Sequence, residues 1–245
     1  MSGSFWHALV FALSVTLPSI LLLALGYFLR RSGQVDARFC DQASKIVFRY
    51  SLPALLFFSI YGNKVDFGSQ IPLIAAGAVA SLILFVGAEL IAARTRMAAT
   101  DKGVFVQGVY RANTMIAGLA FIANAYGAEG VAVGAVYGGA MTLLYNVLAV
   151  ITLNQNVSSS RRVQAGYFAK QLLTNPLIVA ILLALAAKAV ALPVSPLLVQ
   201  TGGYLSAVAL PLALICAGAT LNVQSLFSVS NIALWASVGR LIAAP

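Results

Sequence analysis

The chain of 245 residues is 61% hydrophobic and only 9% charged, and its mean hydropathy is +0.94. A soluble domain usually carries about 25% charged residues, so this composition excludes a water-soluble protein. The net charge of +9 does not indicate a nucleic-acid partner, because the basic residues stand singly or in pairs at the edges of apolar runs. One histidine and two cysteines offer no metal site, no disulfide framework and no catalytic constellation.

Eight apolar runs follow one another along the chain, and runs of about 18 or more residues are long enough to cross a bilayer as helices. Their approximate bounds are 5–29, 43–61, 70–93, 103–124, 130–153, 167–189, 196–220 and 231 to the end. Because backbone polar groups inside a bilayer must be satisfied internally, we predict an all-α transmembrane fold. The first run is not a secretory signal, since Arg30 and Arg31 follow it in place of a cleavage site.

The loops between the predicted spans differ in charge. Nine Lys and Arg residues lie after the first and third spans and around the connection between the fifth and sixth, whereas the alternate loops hold only Lys64 and Lys188. The positive-inside rule assigns the nine to the cytoplasmic side, so the N-terminus is expected outside. We therefore predict a multi-pass protein of the cell membrane.

The longest polar stretch, at residues 154–164, divides the chain into two parts. The predicted domains are a first five-helix repeat at 1–154, a cytoplasmic linker at 155–166 and a partial second repeat of three helices at 167–245. This division depends on an internal repeat between the two parts.

A gapless offset of 158 residues carries Pro18 onto Pro176 and Pro53 onto Pro211. Each repeat would hold an odd number of spans, so the second copy must enter the membrane from the opposite side, as in many secondary transporters. A complete second copy would need roughly 70 residues beyond Pro245. We therefore expect the chain to be a C-terminally truncated part of a ten-span protein.

The fourth span carries the densest set of polar residues. Arg111, Asn113 and Thr114 lie near its middle, and Gly118 follows. A central charge costs about 2.5–3.5 kcal/mol on insertion scales, so a function is expected here. We interpret the segment as a discontinuous helix whose half-helix N-terminus favours an anionic group. The alternative is a buried, unbroken helix in which the glycines permit close packing and Arg111 snorkels to an edge.

Several short motifs occur in a recognisable order along the chain. They are Arg111-Ala112-Asn113-Thr114 with Gly118, Asn124-Ala125-Tyr126-Gly127, Tyr145-Asn146-Val147-Leu148, Asn175-Pro176-Leu177-Ile178, and Ala209 to Ile215. In these motifs the whole chain resembles the auxin efflux carrier family of membrane permeases, including its bacterial members. The resemblance implies two inverted five-helix repeats with broken fourth and ninth helices, a scaffold of helices one, two, six and seven, and a mobile unit of the others.

The same resemblance implies that Asn113 and Thr114 lie in the break of the fourth helix and contact the substrate. Many members have a proline two positions after the glycine, whereas this chain has Ala120, so the break must depend on Gly118 and the polar neighbours. The candidate substrate-binding residues are Asn113, Thr114, Arg111, Gly118, Tyr145 and Asn146. For the last two, a structural bond between helices is the open alternative. The resemblance is also compatible with a homodimer, because members of the family can form dimers through scaffold helices.

Three further polar residues lie in predicted spans. Arg49 is expected to snorkel toward the cytoplasm, with an anion contact as the alternative. Glu89 is expected to form an ion pair with Arg94 or Arg96, with a role in carrying a coupling proton as the alternative. The sequence assigns no role to Arg240, because the last apolar run lacks its far boundary.

These patterns predict a secondary transporter that moves a small organic anion, such as a carboxylate, by alternating access with a proton or sodium as coupling ion. No enzymatic activity or metal is expected, because the only histidine is His7 and the chain shows no catalytic constellation. No cofactor is expected either, and the lack of a phosphate-binding glycine-rich loop leaves ATP unsupported as the energy source. An intramembrane enzyme is one alternative, and it requires clustered His, Asp, Glu or Cys. A channel is the other, and it requires a continuous polar stripe along several spans, whereas the polar residues here concentrate at one depth.

Overall fold

The computed structural model describes residues 2–64, 66–95, 97–153, 174–222 and 231–243. All regular structure within these ranges is helical, in agreement with the predicted all-α class. The predicted linker at 155–166 and the first residues of the sixth predicted span lie outside the described residues. The division of the chain into two repeats at this linker therefore stays a prediction.

Nine α-helices, two π-helices and a short 3-10 helix make up the described part. The α-helices are α1 (Ser2–Arg31), α2 (Ala37–Ile46), α3 (Leu52–Tyr61), α4 (Ile71–Arg94), α5 (Ala99–Tyr110), α6 (Leu119–Leu153), α7 (Pro176–Ala189), α8 (Pro196–Thr220) and α9 (Asn231–Ala243). The π-helices are Val47–Ser51, which joins α2 to α3, and Thr114–Gly118, which precedes α6; the 3-10 helix is Gly68–Gln70.

Five helical stretches of the described residues are long and apolar enough to cross a membrane. They are Phe5–Arg31, Ala37–Tyr61, Gly68–Arg94, Asp101–Thr152 and Pro196–Thr220. The sixth and the last of the eight predicted segments are described only in part, and their described parts fall below this length. The apolar helices Pro176–Ala189 and Ile232–Ile242 are shorter, and the fourth and fifth predicted segments fall within the single stretch Asp101–Thr152.

The fourth and fifth predicted segments merge because a single residue makes the turn between them. Gly127 has φ 61° and ψ −150° inside α6, which is a backbone conformation open essentially to glycine alone. The chain changes direction there without a loop. A polar loop is the signal by which a sequence shows the end of a span, and here that signal is missing.

Helix α1 shows why the surface is unsuited to water. Its outward side chains are large and apolar, and Val10, Leu21 and Phe28 are about 60% exposed. Soluble monomers rarely expose continuous apolar patches of this kind. The exposed side of α1 is therefore a lipid-facing surface.

The described helices group into two compact units, each assembled from separate parts of the chain. Unit I contains Met1–Phe67, Thr114–Gly139 and Gln171–Leu221, and unit II contains Gly68–Asn113, Ala140–Lys170 and Asn222–Pro245. Each unit thus takes residues from both sides of the predicted linker.

Unit I is built around α3 and α8. The buried face of α3 presents Leu52, Leu56 and Ile60, all fully buried, to α7 and α8. Helix α1 packs along α8, where a methyl group added at Gly26 would overlap the Ile215 carbonyl. Two helices approach this closely only where a side chain is absent.

Unit II is built around α5, which packs against α4 and α9. Phe85 of α4 and Tyr145 of α6 both lie edge to face against the ring of Tyr110, with centroids 5.5 and 5.7 Å away. Gly108 lets α9 come close, because an added Cβ would lie 2.8 Å from the Ala236 Cβ. The last turn of α5 is therefore held on several sides.

Candidate functional site

The central feature of the Asp101–Thr152 stretch is a gap in its helix. Helix α5 ends at Tyr110, residues 111–113 have no helical structure, and the π-helix Thr114–Gly118 follows. Arg111 has an extended backbone, with φ −82° and ψ 120°. We call residues 111–113 the interruption. Each helix end beside it leaves backbone groups without partners inside its own helix.

The four candidate residues near the interruption differ in exposure. Arg111 and Asn113 are exposed, whereas Thr114 and Gly118, which begin and end the π-helix, are partly buried. The Arg111 guanidinium lies 3.4 Å from the Gln107 side-chain oxygen, one turn back on α5. Arg111 and Asn113 belong to unit II, and Thr114 and Gly118 belong to unit I.

Tyr145 lies against the end of α5. Its side chain is 5% exposed, and its main-chain oxygen accepts a hydrogen bond from the fully buried Tyr110 hydroxyl at 3.3 Å. Tyr145 therefore packs beside Tyr110, the residue that precedes the interruption, and the two rings are in edge-to-face contact. The next candidate, Asn146, is partly buried.

Arg240 of α9 caps the end of α5, a role that the sequence did not indicate. Its guanidinium Nη1 donates to the carbonyl oxygens of Val109 at 3.2 Å and Tyr110 at 2.9 Å. The last carbonyls of a helix lack partners and carry partial negative charge, so a cation there is doubly favourable. The only sequence signal was a charge inside an apolar run, because 130 residues separate Arg240 from Tyr110.

Glu89 forms a second polar contact in unit II. Its carboxylate pairs with the Lys102 ammonium at 2.7 Å and accepts a hydrogen bond from the Thr152 hydroxyl at 3.1 Å. We expected a partner at Arg94 or Arg96; the observed partner is Lys102, and Arg96 lies outside the described residues. Lys102 reaches Glu89 because the chain turns back after α4, whereas Arg94 is five residues along the same helix and points to another face.

The glycines of α6 shape the region behind the π-helix in unit I. An added Cβ at Gly138 would lie 2.7 Å from the Met115 sulfur, and one at Gly134 would lie 2.8 Å from the Ile122 Cδ1. Both atoms are the ends of flexible side chains, so the glycines allow close packing here, which is the role that the Gly-x-x-x-Gly spacing predicts. The π-helix is seated directly on this surface.

Asn124 makes a structural contact in unit I. Its amide donates to the Val15 carbonyl at 2.8 Å and lies 3.4 Å from the hydroxyl of Ser19, which is 3% exposed. Pro18 lies between these two residues in α1 and cannot donate a backbone hydrogen bond. Asn124 therefore stabilises α1 near its proline.

Unit I also contains a cavity of about 740 Å³. It is lined by Asp41, Ser44, Lys45, Val47, Phe48, Arg49, Leu52, Ile116, Thr174, Pro176, Ala213, Cys216, Ala217 and Thr220. Lys45 and Asp41 form an exposed ion pair at 2.6 Å. The lining therefore contains charged and polar residues as well as apolar ones.

No metal-binding chemistry is evident in the described ranges. Within them, no three His, Cys, Asp or Glu residues are grouped so that they could hold an ion. Cys40 and Cys216 are buried free thiols that pack with Ala43 and Ala219.

Long apolar helices with lipid-facing side chains define the class of this protein as a helical membrane protein. The chain belongs to the membrane transport protein family, whose family model matches residues 11–245. This is the auxin efflux carrier family that the motifs indicated. Comparisons with curated proteins and with solved structures give no match. Family membership identifies the protein as a membrane transporter.

Proposed function

We propose that the protein is a secondary transporter that moves a small organic anion by alternating access, with its substrate site at the interruption. The observation that carries this proposal is the end of α5 at Tyr110, within a stretch that is otherwise long and apolar. Backbone groups that leave a helix inside a membrane are tolerated where they line a cavity or bind a ligand. Asn113 and Thr114 add side-chain donors and acceptors at the same place.

The charge of the segment supports an anionic substrate. The N–H groups at the start of the Thr114–Gly118 π-helix carry the partial positive charge of a helix N-terminus. Arg111 adds a full positive charge three residues earlier and is exposed. A carboxylate is therefore favoured at this site over a cation.

The ends of the helices support an inverted repeat. The 158-residue offset carries Arg31, the last residue of α1, onto Ala189, the last residue of α7. It carries the stretch Ala37–Tyr61 onto residues 195–219, and α8 is Pro196–Thr220. Agreement of helix ends to within one residue extends the proline matches from the sequence to the backbone.

The packing of unit I also supports this repeat. Helix α1 packs on α8, and α3 packs on α7. The offset matches α1 with α7, and it matches α3 with the second half of α8. When each helix is exchanged for its match, the pair of α1 and α8 becomes the pair of α7 and α3. Reciprocal packing of this kind is expected where two repeats are related by a pseudo-two-fold axis. Unit I holds the four helices that the resemblance assigns to the scaffold, together with Thr114–Gly139, which the resemblance assigns to the mobile unit.

Under the same proposal, the protein crosses the cell membrane several times with its N-terminus outside, as the distribution of Lys and Arg indicates. The coupling ion is a proton or sodium. Uptake into proteoliposomes under an imposed pH gradient, compared with an imposed sodium gradient, distinguishes the two.

The test is the substitution Asn113→Ala, with carboxylate uptake measured in proteoliposomes. Loss of a hydrogen bond to a charged group costs about 1.5–3 kcal/mol, so KM is expected to rise roughly ten- to a hundredfold. The thermal unfolding midpoint should change less than in the control below, because an exposed side chain loses little packing when it is shortened.

Asn124→Ala is the matched control, since it removes an asparagine that bonds to α1. It should lower the unfolding midpoint and leave KM unchanged. An unchanged KM in Asn113→Ala would remove Asn113 from the site. Absence of saturable uptake across a broad panel of carboxylates would contradict transport itself.

A further inference from the structure

The two cysteines of the sequence lie side by side in unit I, although they are far apart in the chain. Cys40 is on α2 and Cys216 is on α8, and each is 3% exposed. The Cys216 thiol is in hydrogen-bond contact with the Cys40 thiol and with the Ser44 hydroxyl. A single buried cysteine usually acts as a small apolar residue, whereas two thiols in contact can be joined by oxidation. The pair is therefore a candidate modification site.

Small residues bring α2 and α8 together at this pair. Ala43 lies three positions after Cys40, Ala219 lies three positions after Cys216, and the four side chains form one buried cluster. Residues three apart share a helix face, so each helix presents a cysteine and an alanine to the other. A disulfide needs Cα atoms about 4.4–6.8 Å apart, and small residues allow helices to approach closely. The contact between these two faces therefore suits a covalent link.

The two thiols differ in their access to small molecules. Cys216 lines the cavity of unit I together with Ser44, whereas Cys40 is not among the lining residues. A small oxidant in the cavity reaches Cys216 first, and Cys40 then lies against the oxidised sulfur. Redox-sensitive cysteines often have a second, resolving cysteine in this position. Access therefore assigns a different role to each thiol.

The pair lies toward the cytoplasmic ends of its two helices. Helix α2 begins at Ala37, one turn before Cys40, and α8 ends at Thr220, one turn after Cys216. Under the topology proposed above, the distribution of Lys and Arg assigns both of these helix ends to the cytoplasm. Thiols are kept reduced there, and the disulfides that do form are usually transient and linked to redox sensing. A bond at this site is therefore expected to be reversible.

We propose that Cys40 and Cys216 are a redox pair, in which hydrogen peroxide converts the two thiols to a disulfide that joins α2 to α8. The Cys216 sulfur attacks one peroxide oxygen, which gives a sulfenic acid and releases water. The Cys40 sulfur then attacks the Cys216 sulfur, and the sulfenic oxygen leaves as a second water. The thiols lose two hydrogens and two electrons, which reduce the peroxide. A dithiol reverses the bond by thiol–disulfide exchange.

The disulfide also has a mechanical consequence for unit I. Helix α2 continues through the π-helix Val47–Ser51 into α3, which packs on α7 and α8. A link between distant positions of the chain restricts the unfolded state strongly, so oxidation should raise the thermal unfolding midpoint. This inference concerns a modification of the protein and does not depend on the proposed substrate or on the site at the interruption.

The experiment treats the purified protein in nanodiscs with hydrogen peroxide and then denatures it with a maleimide present. Such a buried thiol reacts slowly, so the reaction is followed to its plateau. We expect loss of both maleimide-reactive thiols, an intact mass lower by two hydrogen atoms, and migration as a single chain without reductant. Dithiothreitol should restore both thiols and return the raised unfolding midpoint to its starting value.

Two single-cysteine variants test the order of the steps. Cys40→Ser leaves Cys216 without its resolving partner, so peroxide should produce a sulfenic acid at Cys216 that dimedone labels. Cys216→Ser leaves only the thiol that does not line the cavity, and Cys40 should stay reduced over the same time. Labelling of Cys40 in the second variant at the rate of Cys216 in the first would contradict the assigned roles.

The variant Ser44→Ala tests the contact at Cys216. A hydroxyl that donates to the sulfur favours the thiolate, which is the reactive form. Its removal should slow disulfide formation about threefold, because a lower thiolate fraction is partly offset by a higher nucleophilicity. Ser206→Ala on α8 is the matched control, since the Ser206 hydroxyl bonds the Gly202 carbonyl and Ser206 is not among the cavity-lining residues. Its rate should equal that of the unchanged protein.

Four results would overturn the inference, and all can be obtained with the unchanged protein. They are two free thiols at the plateau, a disulfide between two copies of the chain, oxidation of Cys216 to sulfinic acid without a disulfide, and an unchanged unfolding midpoint after the disulfide has formed. The first and third would leave the cysteines as packing residues of the contact between α2 and α8. The second would place the reactive thiols at a surface, and the fourth would remove the stabilising role of the bond.

Discussion

Inside each compact unit, a different kind of contact between helices is prominent. In the middle of unit I, helices meet through glycines: Gly26 of α1 against the Ile215 carbonyl, Gly218 of α8 against the Leu23 carbonyl, and Gly202 of α8 against the Phe58 ring. In unit II, charged groups join the helices: Lys102 with Glu89, and Arg240 with the carbonyls at the end of α5.

The difference shows two ways to bind helices where lipid offers no hydrophobic driving force. Where glycines let two helix backbones touch, the helices must fit closely, but no charged group is required. Such contacts suit helices that keep a fixed position relative to one another. Ion pairs and capping side chains satisfy groups that would otherwise be unpaired in an apolar medium. Unit II needs them because α5 ends inside a membrane stretch.

The largest expected effect is at the glycine contacts of unit I. Gly26→Ala places a methyl group against the Ile215 carbonyl, and Gly218→Ala does the same against Leu23. Because backbone must move, we expect each change to destabilise the fold by about 3 kcal/mol, the upper end for overpacking. The measurement is the thermal unfolding midpoint in detergent.

Gly203→Ala is the matched control for this prediction. It lies on α8, like Gly218, and an added Cβ meets no described atom within 4 Å. Its midpoint should match that of the unchanged protein. Similar midpoints for Gly203→Ala and Gly218→Ala would mean that close backbone contact does not stabilise unit I.

A smaller effect is expected at the ion pair of unit II. Lys102→Met removes the ammonium that lies 2.7 Å from the Glu89 carboxylate, whose side chain is only 17% exposed. Removal of one member of a fully buried pair costs 3–5 kcal/mol, and residual exposure should reduce this to about 2 kcal/mol. Unfolding midpoints again provide the measurement.

The double variant Glu89→Gln with Lys102→Met separates the ion pair from simple loss of lysine. It removes both charges, so much of the lost stability should return. If the double variant is less stable than Lys102→Met alone, the carboxylate is not stabilised by Lys102. Unit II would then resemble unit I in its source of stability.

The smallest of the three effects is expected at Arg240. Arg240→Gln removes the charged donor from Val109 and Tyr110 and should cost about 1.5 kcal/mol, whereas Arg240→Lys should recover part of it. Ser237→Ala on the same helix is the control, since the Ser237 hydroxyl bonds only its own helix at Ala233 among the contacts described. Unfolding midpoints that are equal in Arg240→Gln and Ser237→Ala would contradict the capping role.

The local structure at the candidate site could in part be predicted from the sequence. Arg111, Asn113 and Thr114 in an apolar run indicate a break, and α5 ends at Tyr110. The roles of Tyr145 and Asn124 were harder to assign, because the residues with which they pair lie 35 and 109 positions away. A polar residue in a span shows that a partner must exist without showing which one it is.

Composition and apolar runs alone were enough to show that the protein lies in a membrane as helices, because water cannot solvate such a chain and lipid cannot satisfy an open backbone. Short motifs were enough for the family. Helix packing decided the rest: that Lys102 pairs with Glu89, that Arg240 caps α5, and that Arg49 lines a cavity with Ile116. These contacts join residues on different helical elements, and their formation depends on the angle and depth at which helices cross, which no local pattern encodes.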